Sequence, residues 1–227
     1  MRTTTFSIAA LLVATFAAGP LPGAASQPSR ATLVAASRCN PRTIDDYTTE
    51  VRNDEAHPPK DNPADLNKRL GDLGDILTAL GEEHNILDSV CATDSDKMPL
   101  FAQLNATTAW ALALQSDIAI KLNASCPAAA KALPSAMLAQ GWLALAATVN
   151  DLGGTVPPAV AQIVPKVQTR AAAVGLVLPA YPDTSAYWRD QIATQAKAAV
   201  ASCPGEAAPA PSPDASPRAR ILQTILK

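Results

Sequence analysis

Eight residues constrain what this chain can fold into more than any others. Leu66, Leu70, Leu73, Leu77, Leu80, His84, Leu87 and Cys91 follow one another at steps of four and three without a slip. That rhythm keeps one face of a single α-helix apolar over several turns, a face that is stable only against partner helices. Asp61-Asn62-Pro63 opens the helix with a cap residue and a proline early in the first turn. Gly71, Gly74 and Gly81 fall off the seam and lower helix propensity, so tertiary packing has to hold the helix together.

The remainder of the chain continues the helical theme, rich in alanine and poor in alternating β-type runs. Ala92 to Asp96 reads as a turn, with Asp94 or Asp96 as the cap of the next helix. That second long helix runs from about Met98 to Ser125, with Leu100, Leu104, Ala111, Leu114, Ile118 and Leu122 on its buried face. A third starts at Pro127, is interrupted at Pro134, continues through Met137, Leu138, Trp142, Leu145 and Val149, and stops at Gly153-Gly154. A fourth opens at Pro157-Pro158 with a stripe of Val156, Val160, Ile163, Val167, Val174 and Leu178; Pro165 should kink or split it. A fifth carries Tyr187, Trp188, Ile192, Ala196 and Val200 and ends at Cys203-Pro204. With a weaker amphipathic piece from Ile44 to Val51, the expected fold is all-α: an up-down bundle of about five long helices plus a short first one.

The flanks read differently. Met1-Arg2, an apolar run from Phe6 to Ala18 and small residues at Gly23-Ala24-Ala25-Ser26 carry the signature of a secretory leader, placing residues 1–26 as a signal peptide. The run is shorter than the ~20 apolar residues a membrane span requires. Residues 27–38 form a polar, alanine-rich lead-in to a bundle domain at 39–203. Residues 204–217 carry Pro209, Pro211, Pro213 and Pro217 and read as a Pro/Ala linker. Residues 218–227 form a short amphipathic segment, with Ile221, Leu222, Ile225 and Leu226 on one helical face and Arg218, Arg220 and Lys227 around them. Such a stretch suits contact with an anionic membrane surface or a partner, or packing back on the bundle. The expected location is secreted or periplasmic.

Losing the leader takes the Lys and Arg count from 18 to 17 against 20 Asp and Glu. A mildly acidic chain has no electrostatic affinity for nucleic-acid phosphates. All four cysteines (Cys39, Cys91, Cys126 and Cys203) lie in the exported part, so two structural disulfides are expected. Their wide spacing matches neither a zinc site nor a redox pair. In a strict up-down bundle Cys91 and Cys203 share one end, which predicts Cys91–Cys203 and leaves Cys39 for Cys126. Ala124-Ser125-Cys126-Pro127 recurs as Ala201-Ser202-Cys203-Pro204, a shared helix-stop chemistry.

Candidate chemistry is sparse. His84, with Glu83 beside it and Asp88 one turn on, is the one set that could act as a general base or a metal ligand. The opposing reading is a core histidine bonded to Asp88 or to a carbonyl. The second histidine, His57, sits in a His57-Pro58-Pro59 loop, and no His-x-x-x-His pair is present to chelate a metal. Asp94-Ser95-Asp96 opens like a calcium loop but lacks the glycine and closing glutamate. No phosphate loop or nucleophile elbow is present. Lys121 and Arg170 are the only cations deep inside long apolar helices, and both should reach solvent from the edge of a stripe. Asn105-Ala106-Thr107 and Asn123-Ala124-Ser125 are N-glycosylation sequons on one helix, relevant if the host is eukaryotic. The sequence therefore ranks a non-enzymatic exported protein first, binding an unidentified protein or a small apolar ligand without cofactor or metal. A small helical enzyme built on His84, Glu83 and Asp88, and a structural envelope protein, are the alternatives.

Overall fold

The computed structural model describes residues 42–90, 94–180 and 186–203. Six helices and no strand occupy them: α1 (Arg42–Ala56), α2 (Pro63–Val90), α3 (Asp94–Leu122), α4 (Pro127–Asp151), α5 (Pro158–Val174) and α6 (Ala186–Ala201). The fold class is thus all-helical and bundle-like. The expected signal peptide, lead-in, linker and C-terminal segment lie outside the described residues, as do Cys39 and Cys91 and the Tyr187 and Trp188 side chains.

The α2 seam packs as its spacing predicts. Leu66, Leu70, Leu73, Leu80 and Leu87 are buried, joined by Ile76, while Leu77 is half-buried. Asn62 caps the helix by accepting from the Asp65 N–H at 3.0 Å, and its amide returns a bond to the Asp65 carboxylate at 2.9 Å. The seam fails at His84, which is exposed. Its ring lies 4.8 Å from that of Phe101, and Asp88 engages Lys97 instead, with 4.0 Å between their charged atoms and a Lys97 bond to the Asp88 carbonyl at 3.1 Å. The expected core histidine is therefore a surface one.

α3 is the axis of the molecule. It packs against α1, α2, α4 and α5, and from Ala102 to Ala119 most of its residues are buried on every side. Alanine makes this feasible: Ala102, Ala106, Ala109 and Ala113 let neighbouring backbones approach closely. One close approach is at Gly141 of α4, where a Cβ atom would lie 3.2 Å from the Ala109 Cα. α4 is also long and apolar enough to cross a membrane by length and composition, but 67% of that stretch is buried within the bundle, as befits a core helix. Helix α3 begins at Asp94, four residues before the expected Met98. Asp94 to Asp96 are accordingly helical rather than part of a turn.

Proline does not divide these helices. α4 runs unbroken through Pro134 and α5 through Pro165. Each lost backbone bond is outweighed by burial of the faces around it: Leu133, Pro134, Ala136 and Met137 on α4, and Val160, Ile163 and Val167 on α5. α5 does end earlier than its apolar stripe suggests. Gly175 takes φ 71° and closes the helix with an N–H bond to the Ala172 carbonyl, while Leu176 bonds back to Ala171.

That stop overturns the expected disulfides. From α1 to α5 the helices alternate direction. Lys121 at the end of α3 meets Asp61 before α2, Thr48 meets Thr107, and Asn105 meets Thr148. Gly175 then lies against Lys131 near the start of α4. Residues 176–180 are not helical, and Pro179 accepts a bond from the Trp142 indole at 2.9 Å, well up α4. The chain has climbed without using a helix, so α6 descends. Cys203 arrives beside Cys126, with Cα atoms 5.7 Å apart, and the two form a disulfide. The predicted Cys91–Cys203 and Cys39–Cys126 pairs are thereby excluded. The two Ala-Ser-Cys-Pro stops hold the bonded cysteines.

Candidate functional site

A cleft of about 430 Å³ opens between the end of α1, the first half of α2, the second half of α3 and Arg170 of α5. It exists because α1 stops short. His57 bonds back to the Asn53 carbonyl through its N–H, Pro58-Pro59 cannot continue a helix, and α2 starts afresh after Asn62. Pro58 and Pro59 form one lip. Leu66 and Leu73 of α2 and Leu114 and Ile118 of α3 form an apolar floor. Ile120, 38% exposed, stands at the edge.

Paired charges surround this floor. Arg69 of α2 holds the Asp54 carboxylate of α1 and reaches the His57 carbonyl at 3.3 Å. On the opposite wall Glu55 of α1 pairs with Lys166 and, at 3.6 Å, with Arg170. Arg170 also donates from Nε to Asp117 at 2.9 Å. Lys166 lies 4.6 Å over the Trp110 ring, a cation–π contact. These pairs tie α1 to α2, α1 to α5 and α3 to α5, fixing the helix spacing that keeps the cleft open. Lys121 is the least committed cation: it is 45% exposed and meets Asp61 at 3.5 Å.

The two adjacent carboxylates titrate in opposite directions. Burial would raise the Glu55 pKa, but the Lys166 hydrogen bond and charge outweigh it and hold the group below its ordinary value. Burial wins at Asp54: its pKa is raised despite Arg69, and its Oδ2 atom is enclosed without a hydrogen-bond partner. The Trp110 N–H lies close enough to favour the Glu55 anion, yet outside good hydrogen-bond geometry, so it remains a buried donor without an aligned acceptor. Deeper between α2 and α3, Gln115 donates to the Leu70 carbonyl at 3.3 Å and leaves its own oxygen unpaired.

The residues singled out from the sequence are scattered. Lys121 and Arg170 come together on the cleft rim. His84, Glu83 and Asp88 lie near the far end of α2 and do not line it. Asn123 is fully buried and donates to the Ala119 carbonyl at 2.7 Å, leaving no room for a glycan in the folded chain. Asn105 is half-buried and donates to Thr148 at 2.9 Å. Asp54, Glu55, Arg69 and Asp117 went unrecognised, because each is an ordinary helix charge until its opposite appears on a neighbouring helix. Among the described residues no group of three His, Cys, Asp or Glu could hold a metal ion. Comparison with protein-family models, with curated proteins and with solved structures finds no match.

Proposed function

We propose that this is an exported, non-catalytic binding protein whose α1–α2–α3–α5 cleft takes a small ligand with an apolar body and a polar or anionic head. One observation carries the reading: an apolar floor of Leu66, Leu73, Leu114 and Ile118 inside a ring of charges already neutralised by one another. Small-molecule sites typically measure ~300–1,000 Å³ and combine apolar lining with a few placed polar groups. The charge pairs brace the walls, so the site is preformed and little ordering opposes binding. Lys121 exchanges a weak, exposed contact with Asp61 for the ligand's head at small cost. No histidine, metal or cofactor enters this reading.

The test is titration with 1-anilinonaphthalene-8-sulfonate, an aromatic body bearing one anionic group. The chain lacking residues 1–26 should bind it saturably. Ile120→Asp, at the exposed edge, should weaken binding about tenfold, equivalent to ~1.4 kcal/mol, with the thermal melt unchanged. Val177→Asp, on the 83% exposed Val177 outside the cleft, should have no effect. Equal affinity in all three chains would refute the assignment.

A further inference from the structure

We infer that the stretch from Arg52 to Asn62, the last turn of α1 with the Pro58-Pro59 lip, is a lid over the apolar floor, latched by ion pairs and moved aside to admit the ligand's body. This rests on the cleft being a binding site. Three observations lead to it.

The first is that the floor is covered. Leu66, Leu73, Leu114 and Ile118 are each at most 8% exposed, although they line the cleft. The wall above them on the α1 side is Asp54, Glu55, Pro58 and Pro59. An apolar body that reaches further into the floor therefore has to move a wall, and it gains by replacing a largely polar cover.

The second is that this wall alone lacks an apolar anchor. Val51 is fully buried and Leu66 is 4% exposed, but no residue from Arg52 to Asp65 is buried. The other walls are fixed by buried residues on either side of the cleft: Leu70 and Leu73 on α2, Leu114 and Ile118 on α3, Val167 and Ala171 on α5. Val51 and Leu66 thus bracket a segment free to move between two anchored points. Pro58-Pro59 restricts its backbone, so the lip moves as a unit.

The third is the nature of the ties. Asp54 pairs with Arg69 of α2, and Glu55 with Lys166 and Arg170 of α5. Arg69 reaches the His57 carbonyl at 3.3 Å, and Asp61 meets Lys121 of α3 at 3.5 Å. Ion pairs that keep contact with solvent stabilise little. Closure also leaves the Asp54 Oδ2 atom enclosed without a partner, which works against the latch on the α2 side. The closed arrangement is therefore only modestly favoured, and Glu55 carries most of the latch.

The experiment uses the chain lacking residues 1–26 and its Glu55→Gln and Lys166→Gln variants. Both break the same latch but change the charge in opposite senses. Loss of one part-exposed pair shifts such an equilibrium about fivefold, and apparent affinity follows the open fraction. Both variants should bind 1-anilinonaphthalene-8-sulfonate about fivefold tighter, and the amides of residues 55–57 should exchange with deuterium correspondingly faster. Ile163→Val, which loosens α5 without touching the latch, should leave probe affinity unchanged. Tighter binding by Glu55→Gln with weaker binding by Lys166→Gln would be a plain charge effect on an anionic probe and overturns the lid. Unchanged affinity or unchanged exchange in both variants, with Ile120→Asp still weakening the probe, also overturns the lid and leaves the cleft reading standing. Tighter binding by Ile163→Val as well would trace the effect to general loosening and overturn the lid. If Ile120→Asp has no effect, the cleft reading fails and this inference with it.

Discussion

Two glycines, one in α2 and one in α4, illustrate how far residue type depends on its surroundings. Gly71 lies on the exposed side of α2, and a Cβ there would meet nothing within 4 Å. Gly71→Ala should raise stability by about 0.5–1 kcal/mol through helix propensity alone. Gly141 is where α3 and α4 touch, and its Cβ would press on the Ala109 backbone. Gly141→Leu should cost about 3 kcal/mol or more, because the two central helices must separate. Urea melts of both variants test the pair; a similar sign for both would mean that the α3–α4 contact is not as close as described. Glu55 gives a pH-dependent counterpart. Its pKa is lowered below 4.5, so its pairing stabilises the fold above that value and is lost as pH falls through the depressed range. Asp54 acts in the opposite sense: its pKa is raised above 3.8, and stability falls as it ionises with rising pH. Glu55→Gln should therefore cost about 1 kcal/mol at pH 7, with the difference from the parent chain vanishing in acid. A penalty that persisted unchanged at pH 3 would contradict the Lys166 pairing.

At the level of elements, the sequence was most legible where periodicity was strict. The α2 seam, its Asn62 cap and the Gly153-Gly154 stop of α4 all follow from residue spacing and backbone freedom. Two kinds of feature were not legible. Pro134 and Pro165 look like helix breaks, yet buried faces on both sides keep each helix continuous. Residues 176–180 look like the continuation of α5, because Leu178 falls in phase with Val167 and Val174. Gly175 breaks that phase, and the short climb along α4 reverses the direction of α6. A parity argument has no means of counting a pass made without a helix, hence the wrong cysteine pairs. Non-reducing peptide mapping should return a Cys126–Cys203 peptide, and the remaining Cys39 and Cys91 are expected to pair with each other. The Cys126→Ser/Cys203→Ser double variant should lose about 4 kcal/mol, since the bridge spans 77 residues of chain. A Cys91–Cys203 peptide would refute the descending α6.

For the molecule as a whole, architecture and function stand at different distances from the sequence. An alanine-rich α3 buried on nearly all sides makes a slender core; α1, α2, α4 and α5 pack on it and α6 packs on α4. The cleft is a product of that arrangement: α1 ends at Ala56, Pro58-Pro59 turns the chain, and the space beyond is floored by leucines from two helices. Lys121 and Arg170 were visible as unusual cations, but their acidic partners belong to other helices, and only the folded chain brings the six charges together. His84 interrupts the leucine seam at one exposed position, and Leu87 beyond it returns to the core. The central claim is that the leucine-floored cleft is where this protein meets its ligand. Intermolecular nuclear Overhauser effects between bound 1-anilinonaphthalene-8-sulfonate and the methyl groups of the chain lacking residues 1–26 test it most directly. The account predicts contacts to the methyls of Ile120, Leu114, Ile118 and Leu66; contacts confined to methyls elsewhere in the bundle would contradict it.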